Sequence, residues 1–91
     1  MLTWPAKDPD EVLDYQVDWS ERLETSETIS TSNFTVATGT VVKDSQSVAG
    51  GLTTVWLSGG TLGELCTILN RITTSQGRIY DETVRLRIRA S

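Results

Sequence analysis

The most regular pattern in the chain is a strict alternation of apolar and polar residues near its C-terminal end. Three apolar residues alternate there with three arginines: Val84, Leu86 and Ile88 against Arg85, Arg87 and Arg89. A period of two is typical of a strand with one buried face. The pattern predicts that the apolar side chains enter a core and that the arginines face outward.

The preceding run, 65–72, also alternates, and the turn-like segment 74–77 between the two runs predicts a hairpin. Its phase is ambiguous because both sets of alternate residues contain apolar side chains. We place inward the set whose apolar residues continue to the end of the run: Cys66, Ile68, Asn70 and Ile72. Leu65 and Leu69 would then be outward apolar residues, which hint at a covered surface. A buried Asn70 would need hydrogen-bond partners.

Earlier in the chain, two more strands are predicted with their core residues. The first strand has a clean aromatic and aliphatic face: Leu13, Tyr15, Val17 and Trp19. In 27–36, Ile29 is out of phase with Phe34 and Val36. We expect a β-bulge near 32–33 that brings all three side chains to the core side.

Shorter strands are predicted to start at Val41 and to cover 52–57, with turns at 50–51 and 58–61. Trp56 would face away from the other apolar residues of its strand. This gives six or seven short strands with frequent turn signals and no helix long enough to join parallel strands. The sequence therefore predicts an all-β, immunoglobulin-like antiparallel β-sandwich of about seven strands.

The N-terminal segment 1–9 is predicted to be an extended arm outside the core, with the sandwich domain over 10–91. Pro5 and Pro9 each fix a backbone dihedral and remove a backbone donor, which favours extended chain. Trp4 has two main interpretations. It either folds back over its own sandwich or anchors the arm in a neighbouring subunit.

Charge is unevenly distributed along this acidic chain. The 91 residues carry a formal net charge of −4, which argues against nucleic-acid binding because that function needs a phosphate-neutralising surface. Acidic residues concentrate in 8–27 and arginines in 71–89. Two charged poles on one small domain can steer a head-to-tail or docking contact.

The residue types needed for common site chemistries are scarce. The chain has no histidine and one cysteine, Cys66, so it lacks a Ser/His or Cys/His pair, a structural zinc site and an intrachain disulfide. Alternate carboxylates on the first strand favour a solvated face over a metal site. We therefore expect no enzyme activity, metal or cofactor. No run is apolar enough for a membrane helix, and the N-terminus lacks a signal-peptide pattern, so we expect the protein to be made and assembled in a cytosol.

Several segments carry a resemblance to a known group of proteins. They are Trp4-Pro5-Ala6-Lys7-Asp8-Pro9-Asp10-Glu11-Val12-Leu13-Asp14-Tyr15, 17–19, 22–23, Val55-Trp56-Leu57-Ser58-Gly59-Gly60 and Asn70-Arg71-Ile72-Thr73-Thr74. The chain resembles small proteins of tailed bacteriophages, often predicted beside capsid and head–tail connector genes. The resemblance implies an immunoglobulin-like virion structural protein with a role in head decoration, a fibre or a connector.

The first functional hypothesis is a capsid-associated decoration, cement or head-fibre protein bound to the shell in many copies. Its partner would be the major capsid protein or another virion protein, and it would form a homo-oligomer, for example a trimer, or a multi-copy array. The candidate contact residues are Trp4, Pro5, Leu69, Arg85, Arg87 and Arg89. The competing interpretation of the arginines is a solvated strand face paired with acidic neighbours across the sheet.

A second hypothesis is a tail or host-surface adhesin that binds a carbohydrate or a receptor. Trp56 would stack on a sugar ring, and the Ser- and Thr-rich loops would supply hydrogen bonds. Binding to glycans or cells without affinity for capsids would favour this hypothesis over the first.

Overall fold

The alternating runs form strands in the computed structural model, which describes residues 2–90. Within that range there are seven strands and no helix. The strands are β1 (Leu2–Thr3), β2 (Leu13–Asp18), β3 (Ile29–Thr38), β4 (Val41–Ala49), β5 (Leu52–Gly59), β6 (Leu65–Thr74) and β7 (Ile79–Arg87).

The strands form two facing sheets, ordered β1-β7-β6-β3 and β2-β5-β4. Lettered in chain order, β3-β6-β7 and β2-β5-β4 reproduce the C-F-G and B-E-D arrangement of an immunoglobulin sandwich. The predicted seven-stranded sandwich is therefore confirmed. One pairing differs from the prediction, because β1 runs parallel to β7 and makes its sheet mixed.

The core forms between the inward faces of the two sheets. The predicted phase of the closing hairpin is confirmed, with Cys66 opposite Leu86 and Ile68 opposite Val84. The fully or nearly fully buried apolar residues include all but three of the predicted ones: Tyr15, Val17, Trp19, Phe34, Ile68, Ile72, Val84, Leu86 and Ile88. Leu13, Ile29 and Val36 are half-buried and pack against this core.

The irregularity predicted in the third strand is present, but not at 32–33. The register of β3 on β6 shifts between Ile29 and Thr31, and again between Val36 and Thr38. The first shift suffices to turn Ile29 inward, because Phe34 keeps its regular pairing opposite Asn70. The bulge therefore lies next to the residue that was out of phase.

The outer edge of β3 is covered by side chains instead of another strand. Gln46 on β4 accepts a hydrogen bond from the Phe34 backbone N–H at 2.8 Å. Lys43 donates from Nζ to the Phe34 carbonyl oxygen at 2.9 Å. These contacts tie β4 to the opposite sheet and satisfy backbone groups that an edge strand otherwise leaves to solvent.

The N-terminal segment differs from the predicted arm, because part of it belongs to the core. Trp4 is 8% exposed and belongs to the buried cluster. Its ring stacks on Tyr15 at a centroid distance of 4.8 Å, and its Nε1 donates to the Gln16 carbonyl oxygen at 3.0 Å. The structure thus shows the first interpretation of Trp4, in which the indole covers its own sandwich. Met1 lies outside the described residues.

Lys7 continues this attachment and was not identified from the sequence. Its backbone N–H donates to the Arg87 carbonyl oxygen at 3.0 Å, and its side chain is fully buried. Nζ donates to the carbonyl oxygens of Gly59 at 2.7 Å and Asp8 at 2.9 Å. These bonds offset the cost of burying the ammonium group and join the segment to the end of β5.

Asn70 forms a polar link across the apolar core. Its Oδ1 accepts hydrogen bonds from Trp19 Nε1 at 2.9 Å and from Thr53 Oγ1 at 2.7 Å. Its Nδ2 donates to Ser32 Oγ at 3.0 Å and to the Asn33 carbonyl oxygen at 3.2 Å. Asn70 and its acceptors belong to one sheet, whereas Thr53 belongs to the other sheet and Trp19 directly follows β2 of that other sheet. The expected requirement for hydrogen-bond partners is therefore met from both sheets.

Replacing Asn70 with Ala tests this link. The substitution leaves the buried Trp19 N–H without its acceptor, and a buried polar group without a partner costs about 1–3 kcal/mol. We expect a loss of about 2–4 kcal/mol in the free energy of unfolding, measured by urea denaturation. Trp19→Phe removes that donor, so Asn70→Ala should cost less in its background. Equal costs in both backgrounds would contradict a coupled pair.

Replacing Trp4 with Ala tests the attachment of the N-terminal segment. Removal of a buried Trp costs about 3–5 kcal/mol, so we expect a large fall in the urea midpoint. Trp56→Ala is the matched control, because Trp56 is 42% exposed and should cost much less. Similar losses for both variants would show that Trp4 contributes no core packing.

Candidate binding faces

The outer surface of the β1-β7-β6-β3 sheet carries a row of arginines. Arg85 and Arg87 are exposed on β7, and the exposed Arg89 continues the alternation after the buried Ile88. The cross-strand neighbours of Arg85 and Arg87 are uncharged, since Arg85 lies opposite Thr67 on β6 and Thr3 on β1, and Arg87 lies opposite Leu65. The acidic cross-strand partners considered in the sequence analysis are absent from these positions.

The other three arginines form ion pairs with carboxylates, whereas among the described residues the arginines of this row do not. Arg71 binds Asp81 through two hydrogen bonds of 2.7 and 2.9 Å. Arg78 contacts Glu27 at 3.0 Å, and Arg22 contacts Glu82 at 3.2 Å. Within residues 2–90, the side chains of Arg85, Arg87 and Arg89 form no ion pair. Their charge is available to a partner.

Apolar side chains accompany the arginine row. Leu65 is 42% exposed opposite Arg87, and Leu69 is half-buried opposite Thr83. We call the surface formed by Leu65, Leu69, Arg85, Arg87 and Arg89 the basic face. It combines unpaired cations with apolar area, as protein–protein contact surfaces often do.

The outer surface of the β2-β5-β4 sheet has the opposite charge. Asp14 and Asp18 are exposed on β2, and Asp44 lies at the register shift of β4. Trp56 is 42% exposed beside Asp14 in the pairing of β5 with β2, and Val42 is 54% exposed on β4. We call the surface formed by Val42, Asp14, Asp18, Asp44 and Trp56 the acidic face.

Local hydrogen bonds stabilise the charge of the acidic face. The Asp18 side chain accepts the Ser20 backbone N–H at 2.9 Å, which lowers the pKa of this carboxyl. Lys43 is the only cation in β2, β4 or β5, and its Nζ is bound to β3. The acidic face is therefore free of an internal counter-ion from its own strands.

The other two predicted contact residues, Trp4 and Pro5, differ in their exposure to solvent. Trp4 is buried, so its indole covers the core in this structure. Pro5 is exposed, and its carbonyl oxygen accepts a hydrogen bond from the Tyr15 hydroxyl at 3.0 Å. Burial, with the nearby charge of Glu11, raises the pKa of Tyr15 to about 12, so this phenol remains a donor at neutral pH.

One carboxylate joins the loops at the β3–β4 and β5–β6 connections. Glu64 Oε1 accepts the backbone N–H groups of Thr40 and Thr61, both at 3.0 Å, and the Thr40 hydroxyl at 2.8 Å. These donors lower the pKa of Glu64 to about 2. Burial raises the pKa of the nearby Cys66 thiol, which disfavours its reactive thiolate form.

No group of three or more metal-ligating side chains and no pocket occurs within residues 2–90. None of the described residues forms a helix with the length and apolarity of a membrane span.

A comparison with protein-family models finds a match over residues 7–87 to the family described as podophage GP4 fiber-tail adaptor protein gp77. The match covers well over half of the chain and includes six of the seven strands in full. The chain belongs to this family. A search of curated proteins finds no match.

Membership identifies the chain as a bacteriophage virion structural protein of an adaptor family, whose partners are other virion proteins. This agrees with the resemblance to phage structural proteins and with the expected virion location.

The basic face was predicted from alternation alone. The acidic face was only partly predicted, because the pairing that places Trp56 beside Asp14 joins strands far apart in sequence.

Glu64 gives a prediction about pH. Its folded pKa of about 2 lies below the ordinary value of 4.5, so its stabilising contribution is complete above pH 4.5 and is lost as the pH falls towards 2. We expect Glu64→Gln to lower the urea midpoint clearly at pH 7 and much less at pH 3. Glu21→Gln, in an exposed turn, should give a small difference at both. An equal Glu64→Gln effect at pH 7 and pH 3 would contradict the assignment.

Proposed function

We propose that this protein is a fibre–tail adaptor, which holds a fibre on the tail of a podophage particle. The observation that carries this proposal is the family match over 7–87, because it spans nearly the whole sandwich and the family is described as a fibre–tail adaptor. The role concerns binding between proteins, and it needs at least two separate contact surfaces on one small domain.

The fold supplies two such surfaces. The basic face and the acidic face are the outer surfaces of opposite sheets, on a domain with principal extents of 42 × 20 × 17 Å. Opposite charge on the two faces allows each to select a different partner surface, since like charges across a contact are unfavourable. The loops at the two ends of the long axis are additional places for fibre or tail contacts.

The basic face is the proposed contact with a neighbouring virion subunit. Arg85, Arg87 and Arg89 have no ion-pair partner within residues 2–90, and Leu69 adds apolar area beside them. Pro5 is exposed at the nearby N-terminal segment and is available to the same neighbour. Trp4 supports this surface indirectly, by holding that segment against β7 through its backbone bond to Arg85.

Capsid decoration is the competing role, and imaging of particles separates the two. A phage lacking this protein would be produced with and without the protein supplied in trans, and both preparations would be examined by electron cryomicroscopy. We expect the protein-dependent density at the tail, together with loss of fibres when it is missing. Density repeated over the shell with intact fibres would support decoration and overturn the adaptor proposal.

Charge reversal on the basic face tests the proposed contact. We expect particles supplied with Arg85→Glu/Arg87→Glu to carry at least about tenfold less of the protein, because two attractive charges become repulsive. Arg71→Glu on the same sheet is the control, since Arg71 already binds Asp81 and should have a smaller effect. Normal incorporation of the double variant would exclude the basic face. Glycan binding in place of particle binding would instead favour an adhesin that uses Trp56.

A further inference from the structure

We infer that the basic face binds the acidic face of a second copy of the same chain, so that copies associate head to tail. The inference rests on the proposed function only in treating the basic face as a contact surface. It names the subunit that occupies this face. It requires neither the fibre nor the tail, so purified protein is sufficient to test it.

The charges of the two faces complement each other in number and sign. The basic face has three arginines, Arg85, Arg87 and Arg89, and the acidic face has three aspartates, Asp14, Asp18 and Asp44. The arginines form no ion pair within residues 2–90. In a chain with a net charge of −4, an unpaired row of three cations is concentrated at one surface. Within residues 2–90, the surface that best complements this row in charge is the acidic face.

The spacing of the charges also matches. Asp14 and Asp18 are four residues apart on β2, and Arg85 and Arg89 are four residues apart along β7 and its continuation. Four residues of extended chain span about 13 Å, so both pairs bridge the same distance. When these pairs meet, Arg87 lies near Gln16, whose side-chain carbonyl group accepts hydrogen bonds.

Apolar side chains lie beside the charges on both faces. On the acidic face, Trp56 is next to Asp14 and Val42 is exposed on β4. On the basic face, Leu65 is next to Arg87. Burial of these side chains removes apolar area from water and lowers the local dielectric around the ion pairs. An arginine of one copy also gains a face of Trp56 on which to stack.

The contact must join different faces, because either face placed against itself would bring like charges together. A contact between two different surfaces leaves one free face at each end of a dimer. Further copies therefore add in the same way, and the array closes into a ring or continues as a filament, depending on the rotation between neighbours.

Analytical ultracentrifugation of the purified protein tests this arrangement. We expect wild-type protein to form species larger than a dimer as its concentration rises at low salt. About 1 M salt should weaken this association, because it shortens the Debye length to about 3 Å. Wild-type protein that remains monomeric up to millimolar concentration at low salt would overturn the inference.

Two complementary variants give the decisive control. Arg85→Glu/Arg87→Glu places two carboxylates on the basic face, and Asp14→Lys/Gln16→Lys places two cations on the acidic face without removing the Asp18 bond to Ser20. Each variant alone should associate at least about tenfold more weakly than wild type. Mixed in equal amounts, the two variants should associate again in species that contain both in a one-to-one ratio, because the unaltered acidic face of one meets the unaltered basic face of the other and the introduced glutamates meet the introduced lysines.

Circular dichroism and urea unfolding would confirm that both variants are folded. If either is unfolded, Arg85→Gln/Arg87→Gln and Asp14→Asn/Gln16→Ala serve as milder replacements with the same expected weakening alone. Unchanged self-association of a variant, or no association in the mixture of the charge-reversal pair beyond that of each variant alone, would overturn the inference. Failure of self-association with normal tail density would reject only this contact, whereas self-association with density on the shell would reject only the adaptor role.

Discussion

The sandwich depends on one polar connection through its apolar core. Asn70 on β6 accepts hydrogen bonds from Thr53 of the opposite sheet and from Trp19, which directly follows β2 of that sheet, and it donates to the backbone of β3. An amide in a core is costly unless all its groups are paired, so this network requires one relative position of the two sheets. The apolar contacts between the sheets are less directional. The hydrogen bonds of Asn70 therefore specify the register that brings the two outer faces into their observed arrangement.

The N-terminal segment completes the sandwich from outside the main strands. Trp4 closes the core over Tyr15, and Lys7 joins β7 to the end of β5. In a domain of 91 residues the core is small, so one additional tryptophan is a large share of the buried apolar area. The same attachment lies along β7, the strand that presents the arginine row. Stability and presentation of the basic face therefore depend on the same segment.

Surface charge is divided between bonds within the domain and faces left for partners. Carboxylates such as Glu27, Glu64 and Asp81 bind local donors and hold loops or strands together. The outward-facing residues of β2 and of the end of β7 do not pair with each other within the domain, because they lie on opposite sheets. An adaptor needs this division, since a charge already paired within its own domain contributes little to recognition of another subunit.

The all-β class, the closing hairpin, its buried residues and its outward arginines follow from the sequence by itself, because a period of two determines which side chains share a face. The bulge was expected two residues away from its position, since several registers of β3 turn Ile29 inward. Only the tertiary structure decided that Trp4 and Lys7 belong to the sandwich, that Asn70 bonds to both sheets, and that Trp56 lies beside Asp14. Each of these depends on contacts between residues distant in sequence, and alternation along one strand carries no information about which strand lies next to it.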